Sequence, residues 1–213
     1  MTGRCLPLVG VLFAVLLLPV DSRAAGPGFE RLQQFIETVH SMRADFRQVV
    51  VAAEGGAGEE ADGRLLLQRP GRFRWDYERP YERVVLADGE QLWLYEADLQ
   101  QVTVRPLASG LGETPAALLT GGRDVLRRFE ETGAWSGEGL DWVRLKPRSE
   151  ESDFDSVAIA FAGKRPAQLE IVDRLGQLTR IFLTDVRLNP ALDDASFRFE
   201  VPDGADVIRE GSL

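Results

Sequence analysis

Strand-length apolar segments separated by turn residues fill the chain between residues 63 and 104. Phe73, Trp75 and Tyr77 alternate there with charged residues. Because successive side chains of an extended chain point to opposite faces, one face of this strand is aromatic and the other is charged. The Asp88-Gly89 pair stands between two further apolar runs, which is typical of a β-hairpin turn. The segment therefore predicts an antiparallel sheet with one large apolar face.

Strand and helix patterns also alternate in the rest of the chain. Helical spacing of apolar residues predicts a first helix at residues 29–42, and two short helices are expected around Gly121-Gly122, with Thr114 capping the first. The sheet membership of residues 129–134 is left open. Many short strands with few helices to cover them predict a mainly β (α+β) fold, an antiparallel sheet curled into an unclosed barrel with helices over its mouth. The strands are predicted at residues 43–53, 63–68, 72–78, 83–87, 91–95, 100–104, 140–146, 155–162, 167–173, 177–187 and 196–201.

The first residues have the pattern of a targeting segment. Residues 1–24 predict a secretory signal peptide that is cleaved after Ala24, which leaves residues 25–213 as a single domain. The alternative is an uncleaved membrane anchor. It is less consistent with the sequence because the apolar run, residues 6–20, is short and already contains Pro19.

Composition excludes several classes of function. Cleavage after residue 24 removes two arginines and one aspartate, so the formal net charge of −9 becomes −10. A chain this acidic is unsuited to binding nucleic acid or an anionic membrane surface. The single cysteine, Cys5, lies in the predicted signal peptide ahead of its apolar run. We therefore expect neither a disulfide nor a lipid-modified cysteine in the mature chain.

The chain offers few residues for catalysis, and we predict that it is not an enzyme and holds no metal and no cofactor. His40 is the only histidine, whereas zinc sites usually combine several His or Cys ligands. Ser136, in GAWSG, lacks the first glycine of a nucleophile elbow, and no glycine-rich nucleotide motif occurs. Adjacent carboxylates at Asp193-Asp194 and Glu150-Glu151 leave a small hydrolase open as an alternative, although acidic loop runs are usually solvated.

Apolar residues on many strands are candidates for the lining of an interior binding site. Such residues are more often ordinary core, but few helices are available to cover them. A curved sheet under a thin helical lid is expected to leave apolar space, and apolar cavities bind apolar ligands. The predicted lining residues are Phe46, Leu65, Leu67, Phe73, Trp75, Leu92, Leu94, Val157, Ile159, Phe161 and Phe182.

Several motifs together resemble the outer-membrane lipoprotein carrier family (LolA). The central pair is RPGRFRW at residues 69–75 and VLADGEQLWLY at residues 85–95. The FRQ sequence at residues 46–48, ETP at residues 113–115 before an apolar helix, and FRFEVPDG at residues 197–204 also match. The resemblance covers nearly the whole mature chain, and the paired motifs are more specific than either alone. The arginines that flank Phe73 depart from the family pattern and predict a cationic outer face.

The resemblance implies an unclosed antiparallel β-barrel of about eleven strands, covered by a lid of three α-helices, with a hydrophobic cavity between. It also implies a monomeric periplasmic chaperone whose cargo is acylated lipoproteins. The implied partners are an ATP-driven lipoprotein-releasing complex in the inner membrane and an acceptor lipoprotein at the outer membrane. The lack of a lipid-modified cysteine fits the carrier rather than the acceptor.

Two groups of residues are candidates for controlling access to the interior. Ala116, Leu118, Leu119 and Leu126 are predicted to form the lid, or alternatively to be static packing. Arg69 is predicted to act as a latch, because its guanidinium has five donors for carbonyls at a helix end. The alternative is a surface arginine that only adds solubility. Other functions left open are a periplasmic lipid- or lipoprotein-binding sensor or paralogue of the same fold and a scaffold with no cavity.

Overall fold

The computed structural model describes residues 26–52, 58–107 and 115–210, and within them the chain forms twelve strands and three α-helices. The N-terminal half contains α1 (Pro27–Thr38), β1 (Ser41–Val51), β2 (Glu59–Gln68), β3 (Arg72–Arg79), β4 (Arg83–Asp88), β5 (Gln91–Glu96) and β6 (Gln101–Pro106). The C-terminal half contains α2 (Pro115–Thr120), α3 (Arg123–Leu126), β7 (Phe129–Gly137), β8 (Leu140–Pro147), β9 (Phe154–Ala162), β10 (Arg165–Asp173), β11 (Leu178–Leu188), a 3-10 helix (Asp194–Phe197) and β12 (Asp206–Arg209).

All twelve strands belong to one sheet that does not close. Its order is β12-β6-β5-β4-β3-β2-β1-β11-β10-β9-β8-β7, so β12 and β7 are the two edges. Each neighbouring pair is antiparallel except β12 and β6, which are parallel. The predicted mainly β fold, an unclosed antiparallel sheet with three helices, is confirmed. Strand β7 covers the stretch that the sequence left open, and β12 is a strand that the sequence did not predict.

Helix α1 is shorter than predicted. It ends at Thr38, and Val39 is already extended. Ser41 then begins β1, where the buried residues Met42, Ala44 and Phe46 alternate with more exposed ones. The alternation within β1 therefore determines the boundary, although residues 39–42 also continue the helical spacing of apolar residues.

The strand predicted at residues 196–201 is wrong. Residues 194–197 form a 3-10 helix, which Asp193 caps by accepting a hydrogen bond from the Ala195 N–H at 3.0 Å. Phe197 is buried and Phe199 stacks on Trp93 with 5.5 Å between ring centroids. Phe197 and Phe199, whose alternation suggested a strand, therefore pack against the sheet without pairing with one of its strands.

The concave inner face of the sheet carries the main core. The register places Leu65 of β2 beside Trp75 of β3, and Trp75 beside Val85 of β4. Helix α1 buries Leu32, Phe35 and Ile36 in the same core. Its apolar stripe faces the sheet because these residues recur at helical spacing.

A C-terminal segment, defined here as residues 193–205, covers the outer face of β3 and β4. Leu86 on that face is fully buried, as is Val104 of β6 at 3% exposure. Arg72 donates a hydrogen bond to Asp194 at 2.8 Å, and Arg74 donates to the Ser196 carbonyl at 3.4 Å. The arginines that predicted a cationic outer face therefore fasten this segment to the sheet.

Asp88 fixes the turn between β4 and β5. Its Oδ1 accepts hydrogen bonds from the backbone N–H groups of Glu90 and Gln91 at 2.8 and 2.7 Å, and its Oδ2 accepts one from Trp93 Nε1 at 2.8 Å. Gly89 has a φ of +106°, which favours glycine. Burial opposes ionisation of Asp88, but the hydrogen bonds from Gln91, Trp93 and Glu90 outweigh it and lower the pKa.

We predict that Asp88→Ala lowers the free energy of unfolding at neutral pH by about 1–2 kcal/mol, because three donors lose their acceptor. Because the pKa of Asp88 is lower in the folded protein, its ionised form stabilises the fold at pH values above the ordinary pKa of 3.8. This contribution is lost as the pH falls through the folded-state pKa. Urea unfolding at neutral and acidic pH should show the wild-type and variant curves converging in acid. The control is Asp98→Ala, in the next turn. A difference that persists in acid would contradict the assignment.

Candidate apolar binding face and helical lid

Most of the predicted lining residues lie together on the inner face of the sheet. Nine of the eleven are buried, and seven of these belong to one core cluster that also includes α1 and α2. Phe73 and Leu92 form a second cluster with Ala87 and Leu107. Leu94 lies beside Val85 on the same face but is only half-buried. The seven in the main cluster are Phe46, Leu65, Leu67, Trp75, Val157, Ile159 and Phe161.

The placement of Phe182 on the interior face is wrong. Ile181 and Leu183 are buried on the inner side of β11, so Phe182 between them points to the outer side. The guanidinium of Arg47 lies over the Phe182 ring, 5.1 Å from its centroid. Residues 181–183 are all apolar, so alternation along the strand does not show which of them face inward. This explains the error.

Three aromatic rings form the centre of the inner face. Phe46 meets Trp75 edge to face with 5.4 Å between ring centroids, and meets Tyr77 in the same way at 5.0 Å. The register pairs Gly63 with both Phe46 and Tyr77, so these rings meet across a residue that has no side chain. A Cβ at Gly63 would lie 1.8 Å from the Asp76 carbonyl oxygen, so no other residue fits there.

The helices fill the inner face of the sheet. Phe35 of α1 lies 6.0 Å from Phe161, centroid to centroid, and Leu118 and Leu119 of α2 are buried in the same cluster. Leu126 of α3 is partly buried against it, and Ala116 lies in α2. The sequence predicted apolar space under the lid, whereas lid side chains occupy that face. An empty apolar cavity destabilises a fold, which explains why the helices pack into it.

A small cleft opens beside the aromatic centre. Its volume is 160 Å³, and its lining includes Gln48, Val50, Tyr77, Tyr81 and Arg83. The Tyr77 hydroxyl donates to Gln48 Oε1 at 3.2 Å, and the Arg83 guanidinium lies 4.1 Å from the centroid of the Tyr77 ring. The cleft is smaller than the pockets of roughly 300–1,000 Å³ that enclose drug-sized ligands. It is too small for a long hydrocarbon chain unless the protein opens.

Arg69 ties the ends of two helices to the sheet. Its guanidinium donates to the carbonyl of Val39, which follows α1, and to the carbonyls of Leu119 at 2.6 Å and Gly121 at 3.0 Å, at the end of α2. The same group lies 4.9 Å from the centroid of the Phe35 ring. Burial lowers the Arg69 pKa to about 10, so the side chain remains charged at neutral pH. These contacts place the Arg69 donors on carbonyls at the ends of two helices, and its role as a latch stays a prediction.

His40, Asp193 and Asp194, which the sequence offered as candidates for catalysis, lie in turns and caps of the fold. His40 is exposed between α1 and β1, and its backbone N–H donates to Asn189 Oδ1 at 2.7 Å. Asp193 caps the 3-10 helix and Asp194 binds Arg72. In the described ranges, no three His, Cys, Asp or Glu side chains are grouped as metal ligands would be. Among the same residues, no helix is long and apolar enough to cross a bilayer.

Comparisons with known proteins agree with the architecture. The sequence pattern of the family described as outer membrane lipoprotein carrier protein LolA matches residues 37–200. An outer-membrane lipoprotein carrier protein from Methylobacillus flagellatus is 42% identical over 202 residues, which cover 95% of this chain and 98% of the relative. The corresponding protein from Chromohalobacter salexigens is 40% identical over 93% of this chain and 94% of its own length.

A solved structure supports the fold. A conserved protein from Thermus thermophilus aligns with a TM-score of 0.52 at 16% identity, and the alignment covers 85% of this chain and 96% of that one. The match to the family pattern spans more than half of the chain, and the relatives match along nearly their whole length. The chain therefore belongs to the outer-membrane lipoprotein carrier family.

Proposed function

We propose that this protein is a periplasmic carrier that covers the acyl chains of lipoproteins while they cross an aqueous compartment. In this proposal it receives its cargo from an ATP-driven releasing complex in the inner membrane and delivers it to an acceptor lipoprotein at the outer membrane. The observation that carries the proposal is the apolar inner face, covered by helices whose ends one arginine holds. Family membership supports the same conclusion.

The free energy of hydrocarbon transfer explains why a carrier is needed. Each exposed methylene costs about 0.8 kcal/mol, so a chain of about sixteen carbons costs on the order of 12 kcal/mol in water. A lipoprotein with its acyl chains in water would therefore return to a membrane or aggregate. Its chains must remain covered by an apolar surface throughout the transfer.

Loading is an exchange of one apolar contact for another. The inner face is occupied by Phe35, Leu118 and Leu119 in the closed form, so acyl chains reach it only if α1 and α2 move away. Because the displaced helices lose contacts similar to those the cargo gains, the net affinity is the difference between the two. A modest affinity permits release, and transfer proceeds if the acceptor binds the cargo more tightly.

Arg69 is suited to act as the latch of this exchange. Its donors hold the carbonyl of Val39, just after α1, and the carbonyl of Leu119 in α2, so the ends of the two helices are released together when these bonds break. Opening exposes the guanidinium and the carbonyls to water, which replaces part of the lost hydrogen bonding. The lid is therefore held firmly enough to close, yet can be displaced by an apolar ligand.

We predict that Phe73→Glu abolishes loading of a radiolabelled lipoprotein. Phe73 is 3% exposed against Ala87, Leu92 and Leu107, so the carboxylate would lie in the acyl-binding surface. The matched control is Phe182→Glu, the same substitution on the outer face, which should load at the wild-type level. Circular dichroism and thermal unfolding establish that both variants are folded. A folded Phe73→Glu variant that loads normally would remove Phe73 from the binding face.

We predict that Arg69→Leu weakens the closed lid. Each lost hydrogen bond contributes about 1 kcal/mol, so amide hydrogen exchange in residues 118–126 should accelerate at least tenfold. The same variant should change the rate at which cargo passes to the acceptor.

The matched control is Arg72→Leu. Arg72 binds Asp194 in the C-terminal segment, so its loss should increase exchange there and leave α2 and α3 unchanged. The latch assignment fails if Arg69→Leu leaves both lid exchange and cargo transfer at wild-type rates.

A further inference from the structure

Trp75 carries a buried hydrogen-bond donor that has no partner. The side chain is 9% exposed, and its Nε1 makes no hydrogen bond within the described part of the chain. Gln68 Oε1 is the other buried side-chain atom there without a partner. Gln68 follows the inward-facing Leu67, so it lies on the opposite side of the sheet and cannot accept from Trp75.

An unpartnered indole N–H is unusual in a core. Buried tryptophans nearly always place this donor against an acceptor, because an unmade hydrogen bond destabilises the fold. Trp93 in the same protein follows the rule, since its Nε1–H donates to Asp88 Oδ2 at 2.8 Å. The donor of Trp75 therefore points to a ligand that brings its own acceptor.

The surroundings of Trp75 restrict what that ligand is. Its nearest ring is Phe46, and its cross-strand neighbours Leu65 and Val85 are apolar. The Tyr77 hydroxyl, the other polar group of the aromatic centre, is already bonded to Gln48. The site thus combines a wide apolar surface with a single available donor. A ligand that is mostly hydrocarbon with one acceptor oxygen matches it.

We propose that Trp75 Nε1–H donates a hydrogen bond to the carbonyl oxygen at the head of a cargo acyl chain. The inference rests on the proposed function and identifies the group that distinguishes acyl chains from plain hydrocarbon. An acyl chain always carries a carbonyl, as an ester or an amide, and burying that oxygen unpaired is unfavourable. Pairing it with Trp75 satisfies both buried groups and fixes how deeply the chain enters.

The experiment compares two uncharged probes that differ only in their two carbonyl oxygens. These are 1,2-dioctanoylglycerol, which has two ester carbonyls, and its 1,2-dioctyl ether analogue, each titrated against the mature chain by calorimetry. The wild-type protein should bind the ester about three- to tenfold more tightly, the effect of one hydrogen bond. Trp75→Phe removes the donor and keeps an aromatic ring, so the ratio of the two affinities should fall to about one.

A second measurement uses the wild-type protein alone. In ¹⁵N-labelled protein, the Trp75 indole N–H resonance should move downfield when the ester probe is added and should move less with the ether. Trp93 is the internal control, because its N–H is already bonded to Asp88 and should not respond. This readout does not depend on whether Trp75→Phe folds.

The outcomes separate the two proposals. If both probes bind, but the affinity ratio is the same in wild type and Trp75→Phe, or the Trp75 resonance responds equally to both, the donor assignment is overturned and the carrier proposal stands. If neither probe binds the wild-type protein, the carrier proposal itself fails. Loss of ester preference in Trp75→Phe, with retained ether binding, supports the assignment.

Discussion

The sheet does not close, and this constraint determines the rest of the molecule. A closed barrel buries its inner face against itself, whereas an open sheet of twelve strands leaves a concave apolar surface that needs a cover. Here α1 and α2 provide it, with Phe35, Leu118 and Leu119 packed against the strands. A cover that is held by contacts between separate elements is also one that a ligand of similar chemistry can replace.

Apolar side chains cover both faces of the sheet, but the two covers have different roles. On the outer side, the C-terminal segment places Phe199 against Trp93 and Tyr95 of β5, and Arg72 and Arg74 fasten it through Asp194 and Ser196. On the inner side, Arg69 fastens the helices through backbone carbonyls. The outer contacts stabilise the sheet, while in our proposal the inner contacts are those that exchange with cargo.

The periodicity of apolar residues predicted where the strands lie better than it predicted the contacts of individual side chains. Alternation in β3 correctly placed Phe73 and Trp75 on the buried face, because charged residues between them determine the phase. Residues 181–183 are all apolar, so alternation could not show that Phe182 faces outward. The five donors of Arg69 indicated a role in holding carbonyls, but the sequence could not identify Val39 and Leu119 as partners, since only tertiary packing brings them together. The unpartnered donor of Trp75 is likewise a property of packing.

In our proposal, acyl chains replace the helices on the inner face. Photocrosslinking of residues 25–213 with a fatty acid that carries a diazirine near the chain end, followed by mass spectrometry of the labelled peptides, tests this exchange. We expect labels on the inward-facing residues of β2 to β5 and on α1 or α2, with little on the outer face. Labels confined to the outer face around Phe182 would contradict it.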